Sequence, residues 1–456
     1  MLEPAPASPP PRRRLDRWRG AASDAAPLWR QRLLFLFGGL CVGLAAVAMA
    51  KLADWAHEVF RWIVSPSPLV ALVLTPLGFA IAILLAIRVF PNSQGSGIPQ
   101  VIAARHTEDP AIRNALVSLK TAFGKILVMT LGLVCGASTG REGPTVQVGA
   151  AIMAAFGRLD AERLPGVLLA GGAAGVAAAF NTPIAGIVFG IEELSRTYEA
   201  RTSGLIVATV IAAGLTALAI QGDYTYFGTT KAALPFGPGW LAVAILGVAG
   251  GIAGGLFGRV TLLFARGLPG RIGGAIRRHP IVFGALCGLG VALCGLASGG
   301  TVYGTGYEEA RAMLHGTDTG HPAYAPLKFL ATVFSSISGI PGGLFAPSLS
   351  VGAGMGVWLH GLFAGVPIGA LVLIGMVAYL TGTLQAPITA FVIVTEMTQD
   401  HAMMIPLMVT ALIADAVSKL ICREGLYHAL AATILEKAES GAAPVIATPH
   451  KLERNA

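Results

Sequence analysis

Charge is what this 456-residue chain has least of. Asp, Glu, Lys and Arg make up 12% of it, about half the share of an ordinary soluble protein. Between Phe329 and Thr395 there is none at all. About 20 apolar residues suffice to cross a bilayer, so several spans are expected in that stretch. With 54% hydrophobic residues, a water-soluble fold is excluded. Cysteine is also scarce. Cys41, Cys135, Cys287, Cys294 and Cys422 are odd in number and scattered, mostly in apolar runs, which excludes a disulfide framework and leaves packing as their role. Neither His-Glu-x-x-His nor a Walker loop occurs, and the nine histidines lack ligand spacing. No metal, no cofactor and no enzymatic activity are therefore expected, and the driving energy should come from ion gradients rather than ATP.

Glycine and proline are abundant instead, 59 and 28 residues, together well above the roughly 12% of average usage. Many fall inside apolar segments, where straight spans would not need them. Broken helices and close helix packing would, because irregular backbone survives at membrane depth only inside protein or beside water. Candidate spans outside the uncharged stretch are 33–60, 69–90, 164–180, 204–220, 240–264 and 281–298. The net charge of +8 does not call for nucleic acid. Residues 1–32 hold seven Arg against three acids, and Arg259, Arg266, Arg271, Arg277 and Arg278 share one acid-free segment. The positive-inside rule puts both segments in the cytoplasm. Residues 1–32 read as a disordered cytoplasmic tail, 33–437 as the transmembrane domain and 438–456 as a second cytoplasmic tail. The protein is thus expected to be a multi-pass cell (inner) membrane protein with both termini cytoplasmic and the lipid bilayer as its surroundings.

One carboxylate stands out. Glu142, in Gly140-Arg141-Glu142-Gly143-Pro144, lies within an apolar stretch from Ile126 to Phe156, where burying it costs about 2.5 kcal/mol or more. Gly140 and Gly143 permit a tight turn, and Pro144 suits a first helical turn. A helix beginning there presents free N–H groups and a positive dipole end to an anion, either a dissolved ion or the Glu142 carboxylate itself. The pattern Gly-x-x-x-Pro recurs at Gly95–Pro99 and Gly343–Pro347, the latter 203 residues after Gly140. Interrupted segments at matching positions of two halves, about 30–220 and 239–437, point to a repeat-built transporter with its site at the repeat interface.

Gly95-Ser96-Gly97-Ile98-Pro99, Gly140-Arg141-Glu142-Gly143-Pro144 and Gly343-Leu344-Phe345-Ala346-Pro347, with Asn181-Thr182-Pro183, Glu192-Glu193 and Tyr427 following in order, resemble the signature segments of the CLC chloride channel and transporter family. The resemblance spans about Leu33 to Lys437. It implies an all-α inverted repeat of tilted, broken helices, and a homodimer with one anion pathway per subunit. It also implies that Ser96, Tyr427 and the backbone N–H groups of Leu344 and Phe345 bind a dehydrated chloride, that Glu142 is the external gate, and that Glu193 is the internal proton relay. Each assignment has a plainer counterpart: an N-cap for Ser96, an interfacial anchor for Tyr427, an ion pair with Arg141 for Glu142, and an acidic helix end for Glu193. Adjacent residues point about 100 degrees apart on a helix, and Glu192 sits four before Arg196, a spacing suited to a surface ion pair. That leaves Glu193 as the free acid, with Asn181 as the cap of the helix carrying it.

The resemblance also matches Lys125 to a family lysine. The acid that partners that lysine in some members is replaced here by the run Gln100-Val101-Ile102. The residues after Lys437 are too few for the cytosolic regulatory domain of eukaryotic members, so nucleotide regulation through one is not expected. The implied activity is chloride/proton antiport. The alternative on the same scaffold is a passive chloride channel, against which the acid at Glu193 speaks. A fluoride exchanger is disfavoured by the Ser96 segment and Pro144, and a nitrate preference by Ser96.

Overall fold

The computed structural model describes residues 12–156, 164–195, 200–222, 225–363 and 365–440, with side chains from residue 33 onward except 200–203. Its first half comprises α1 (Arg12–Val64), α2 (Ala71–Arg88), α3 (Ile98–His106), α4 (Pro110–Leu116), α5 (Leu119–Val134), α6 (Glu142–Phe156), α7 (Leu164–Phe180), α8 (Pro183–Phe189) and α9 (Ala200–Gln221). The second half comprises α10 (Trp240–Arg266), α11 (Gly270–Arg278), α12 (Pro280–Ala297), α13 (Tyr307–Leu314), α14 (Tyr324–Ser338), α15 (Phe345–His360), α16 (Ile368–Leu384), α17 (Pro387–Thr398), α18 (Met404–Ile421) and α19 (Leu426–Glu439).

The halves pack alike. The pairs α6 with α7, α1 with α9 and α7 with α9 recur as α15 with α16, α10 with α18 and α16 with α18. The two copies meet head to tail at one antiparallel bridge: Gly140 N donates to Gly343 O at 2.8 Å, and Gly343 N donates to Gly140 O at 2.7 Å. The bridge and the matched pairs are those of an inverted repeat, in which the start of α1 and the end of α10 share one face. The face at the end of α10, with Arg266, Arg271, Arg277 and Arg278, is called the basic face below. Lipid tails supply no hydrophobic drive between helices, so cohesion comes from close packing of small residues. A Cβ added at Gly149 on α6 would lie 2.4 Å from the Gly171 carbonyl oxygen on α7, and one at Gly352 on α15 would lie 2.3 Å from that of Gly375 on α16.

Two expectations need correction. Residues 12–32, read as disordered, continue α1 as helix, in keeping with the helix propensity of Ala21, Ala22, Ala25, Ala26 and the arginines around them. Residues 1–11 and 441–456 lie outside the described residues. The uncharged stretch holds no helix long enough to cross alone: α14 to α17 have 15, 16, 17 and 12 residues. Full-length apolar helices lie elsewhere, including 110–134 and 404–421, which the span reading missed, whereas 164–180 is short. The short helices end inside the protein, where their termini can face a buried ligand.

Candidate functional site

Three loops are tied together at the repeat axis. Besides the Gly140–Gly343 bridge, Gly342 N donates to Gly95 O at 3.1 Å, and Thr139 Oγ1 donates to Gly343 O at 3.1 Å. Lys125, fully buried, donates from Nζ to the carbonyls of Gln94 at 3.1 Å and Gly95 at 2.9 Å. Gln100, in the run that follows Pro99, donates to Gln94 O at 2.6 Å. The ammonium thus needs no carboxylate: it clamps the loop that presents Ser96. Ser96 is not the cap of α3. That position belongs to Gly97, at φ 103 in the left-handed region, where a side chain would be strained. A Cβ at Gly143 would lie 2.3 Å from Ser96 Oγ, so the hydroxyl lies against the backbone at the start of α6. It is buried and faces the Tyr427 hydroxyl, short of full hydrogen-bond geometry.

Glu142 opens α6 and is fully buried. The backbone N–H groups of Arg141, Glu142 and Ala346 surround its carboxylate, yet neither oxygen has a partner in full hydrogen-bond geometry. Oε2 would lie 2.3 Å from a Cβ on Gly140, close to Ala346 and Pro347. The carboxylate therefore sits before the N-terminus of α15, whose cap position, Leu344, makes no side-chain cap bond. The Phe345 ring is fixed against Phe180 at 5.8 Å and Phe189 at 5.7 Å. Arg141 turns toward α1, donating to Ala50 O at 2.8 Å and pairing with Asp54 at 3.1 Å, while its charge also acts on Glu142. A cavity of about 530 Å³ reaches Arg141. Another, of about 250 Å³, reaches Ser96 and Leu344 from the side of Ala265 and Lys437, at the basic face. Glu142 lines neither cavity; its neighbour Arg141 lines the first.

Tyr427, near the start of α19, is fully buried, which rules out an interfacial anchor. Its hydroxyl interacts with that of Ser96, short of full hydrogen-bond geometry, and electrostatically with Glu193 and Glu142. Glu193 lies on a π-helical turn, Gly190–Ser195, that continues α8, and is buried. Glu192 does something unforeseen. Arg196, its expected partner, lies outside the described residues, but the Glu192 carboxylate accepts from the N–H groups of Ile388 at 3.0 Å and Thr389 at 2.6 Å, capping α17. The cap of α8 expected from Asn181 comes instead from Glu396, which accepts from Ile184 N at 3.2 Å and Ala185 N at 2.8 Å; the N-cap residue is Thr182, which makes no cap bond. Sequence reasoning missed Glu396, although Pro387 and Glu396 follow Pro183 and Glu192 by 204 residues each.

One hydrolase-like spacing does occur, Gly-x-Ser-x-Gly at Gly136–Gly140. Ser138 is fully buried, with its hydroxyl 3.2 Å from that of Thr332. No histidine activates it in any described hydrogen bond, so this serine makes no nucleophile.

An inverted helical repeat that buries a carboxylate and two hydroxyls where helix N-termini meet, beside a cavity that reaches Ser96 and Leu344, fits an ion-transport protein of the membrane. The chain belongs to the voltage gated chloride channel family, the CLC family, whose model matches residues 77–419. It is 30% identical over 448 residues to the H(+)/Cl(-) exchange transporter ClcA of Yersinia pestis bv. Antiqua, across 91% of this chain and 90% of that protein. It is likewise 30% identical over 484 residues to the ClcA of Cronobacter sakazakii, across 94% and 96%. Among solved structures it resembles a slow cyanobacterial Cl-/H+ antiporter, with TM-score 0.76 and 24% identity over 90% of this chain and 99% of that one. It also resembles a CLC-type fluoride/proton antiporter, with TM-score 0.72 and 22% identity over 87% and 96%. Likeness at these identities shows the fold alone.

Proposed function

We propose that the protein exchanges chloride for protons across the cell (inner) membrane. The observation that carries this reading is the position of Glu142: a buried carboxylate surrounded by backbone N–H groups, none in full hydrogen-bond geometry, before a helix N-terminus without a side-chain cap. As a carboxylate it occupies the place an anion would take. Protonated, it loses that attraction and swings aside, so anion and proton movement are linked. Ser96 and Tyr427 offer hydroxyl donors, and Leu344 and Phe345 offer backbone N–H groups, to a dehydrated chloride. Donors without a full positive charge suit an ion that must also leave.

Glu193 serves as the proton relay on the basic face, which the positive-inside rule makes cytoplasmic along with both termini. A buried acid there favours the exchanger over the passive channel. Exposed apolar residues beside the α8 and α17 caps, Ile184 and Ile388, with Ile405 and Leu412 on α18, support a homodimer joined at this face. The test is paired flux in proteoliposomes. Glu142→Gln is expected to pass chloride without protons, and Glu193→Gln to lose proton flux while keeping chloride flux. Normal coupling in either variant would refute the role given to that residue.

A further inference from the structure

We infer that His428 passes protons between the solution at the basic face and Glu193, an inference that rests on Glu193 being the relay. Glu193 itself is out of reach of that solution, with only 3% of its side chain exposed, whereas His428 is 19% exposed. His428 lines a cavity of about 800 Å³ that Glu193 does not line. The cavity opens at the basic face: its rim residue Glu424 is ion-paired to Arg266 at the end of α10. It is also separate from the cavity that reaches Ser96, since the two share no lining residue. The anion route and this route therefore enter the same face by different doors.

The ring is placed to hand over a proton. Nε2 lies 2.8 Å from the Glu193 carbonyl oxygen and 3.9 Å from its Oε1. A carbonyl oxygen only accepts, so Nε2 carries the hydrogen in this geometry. A proton taken up at Nδ1 gives an imidazolium, the Nε2 proton passes to the nearby Glu193 carboxylate, and reorientation of the neutral ring resets it. Imidazole is the side chain whose ordinary titration range spans neutral pH. The charged groups around it are Glu192 and Glu193 on the π-helical turn, Lys419 on α18, and Arg423 and Glu424 before α19. Arg105 of α3 reaches the same turn through the Leu194 carbonyl. The Tyr427 hydroxyl, one residue before His428, interacts with Glu193 from the other side.

The variant His428→Gln keeps an N–H donor near the position of Nε2 but cannot titrate, so it separates transfer from structural support. In proteoliposomes it should retain chloride efflux and lower chloride-driven proton uptake about tenfold or more. Wild-type proton flux is expected to step between about pH 5 and 8, and in His428→Gln that step should be flattened. An unchanged proton-to-chloride ratio and pH profile in His428→Gln, with Glu193→Gln uncoupled, would overturn this inference and leave the relay standing. Normal coupling in Glu193→Gln would instead remove the relay, and this inference with it. If His428→Gln does not reconstitute, His428→Asn makes the same test, and a wild-type proton flux without a step over that pH range contradicts the proposal on its own.

Discussion

Glu192 and Glu396 cap each other's helices. Glu192, just beyond the end of α8, accepts from the first free N–H groups of α17, and Glu396, near the end of α17, accepts from those of α8. The pair locks the two repeats together beside the turn that carries Glu193. Glu396→Ala is expected to cost about 1 to 2 kcal/mol, the range for a charged cap, and Glu192→Ala about the same. Thermal unfolding in detergent measures this, and unchanged melting in both variants would mean the caps carry no weight.

The close approaches at Gly149 and Gly352 make a second prediction. A methyl group at either must push two helix backbones apart, at a cost of about 1 to 3 kcal/mol, so Gly149→Ala and Gly352→Ala should melt earlier than wild type. Gly274→Ala, where an added Cβ meets nothing within 4 Å, is the control and should match wild type.

Lys125→Met removes one donor from each of the carbonyls of Gln94 and Gly95, which keep only Gln100 Nε2 and the Gly342 N–H. The expected loss is about 1 to 3 kcal/mol of stability. Because the loop presents Ser96, chloride affinity by calorimetry should fall about tenfold, equivalent to about 1.4 kcal/mol. Affinity at the wild-type level would show that the loop holds its place unaided.

Acidity should open the route. Protonation removes the charge that Glu142 holds before the α15 N-terminus, so chloride flux through wild-type protein should rise as pH falls. In Glu142→Gln, where that charge is gone at every pH, flux should be high and this dependence lost. A retained acid activation in Glu142→Gln would place the sensing group elsewhere.

The repeat, the broken helices and the loops at Ser96, Glu142 and Phe345 were legible because each leaves a local mark: glycine where the backbone turns tightly, proline where a helix starts, a lone charge in an apolar run. Lys125 was marked only by the family resemblance, and its partners were not legible, because backbone carbonyls have no sequence signature. The cap made by Glu192 was missed because a local i,i+4 pairing with Arg196, outside the described residues, was weighed and a long-range cap to a helix 196 residues away was not. His428 escaped notice for a similar reason. It lies 235 residues from Glu193, and only the packing of α19 beside the π-helical turn brings them together.

The central claim is that proton and chloride movements are obligatorily linked through Glu142. The most direct measurement is proton uptake into proteoliposomes holding wild-type protein and a high internal chloride concentration, with pH equal on both sides at the start. The account predicts that chloride running out drives protons in, building a pH gradient where none existed. Chloride efflux with no proton uptake, once the membrane potential is clamped, would contradict it and leave a passive chloride channel.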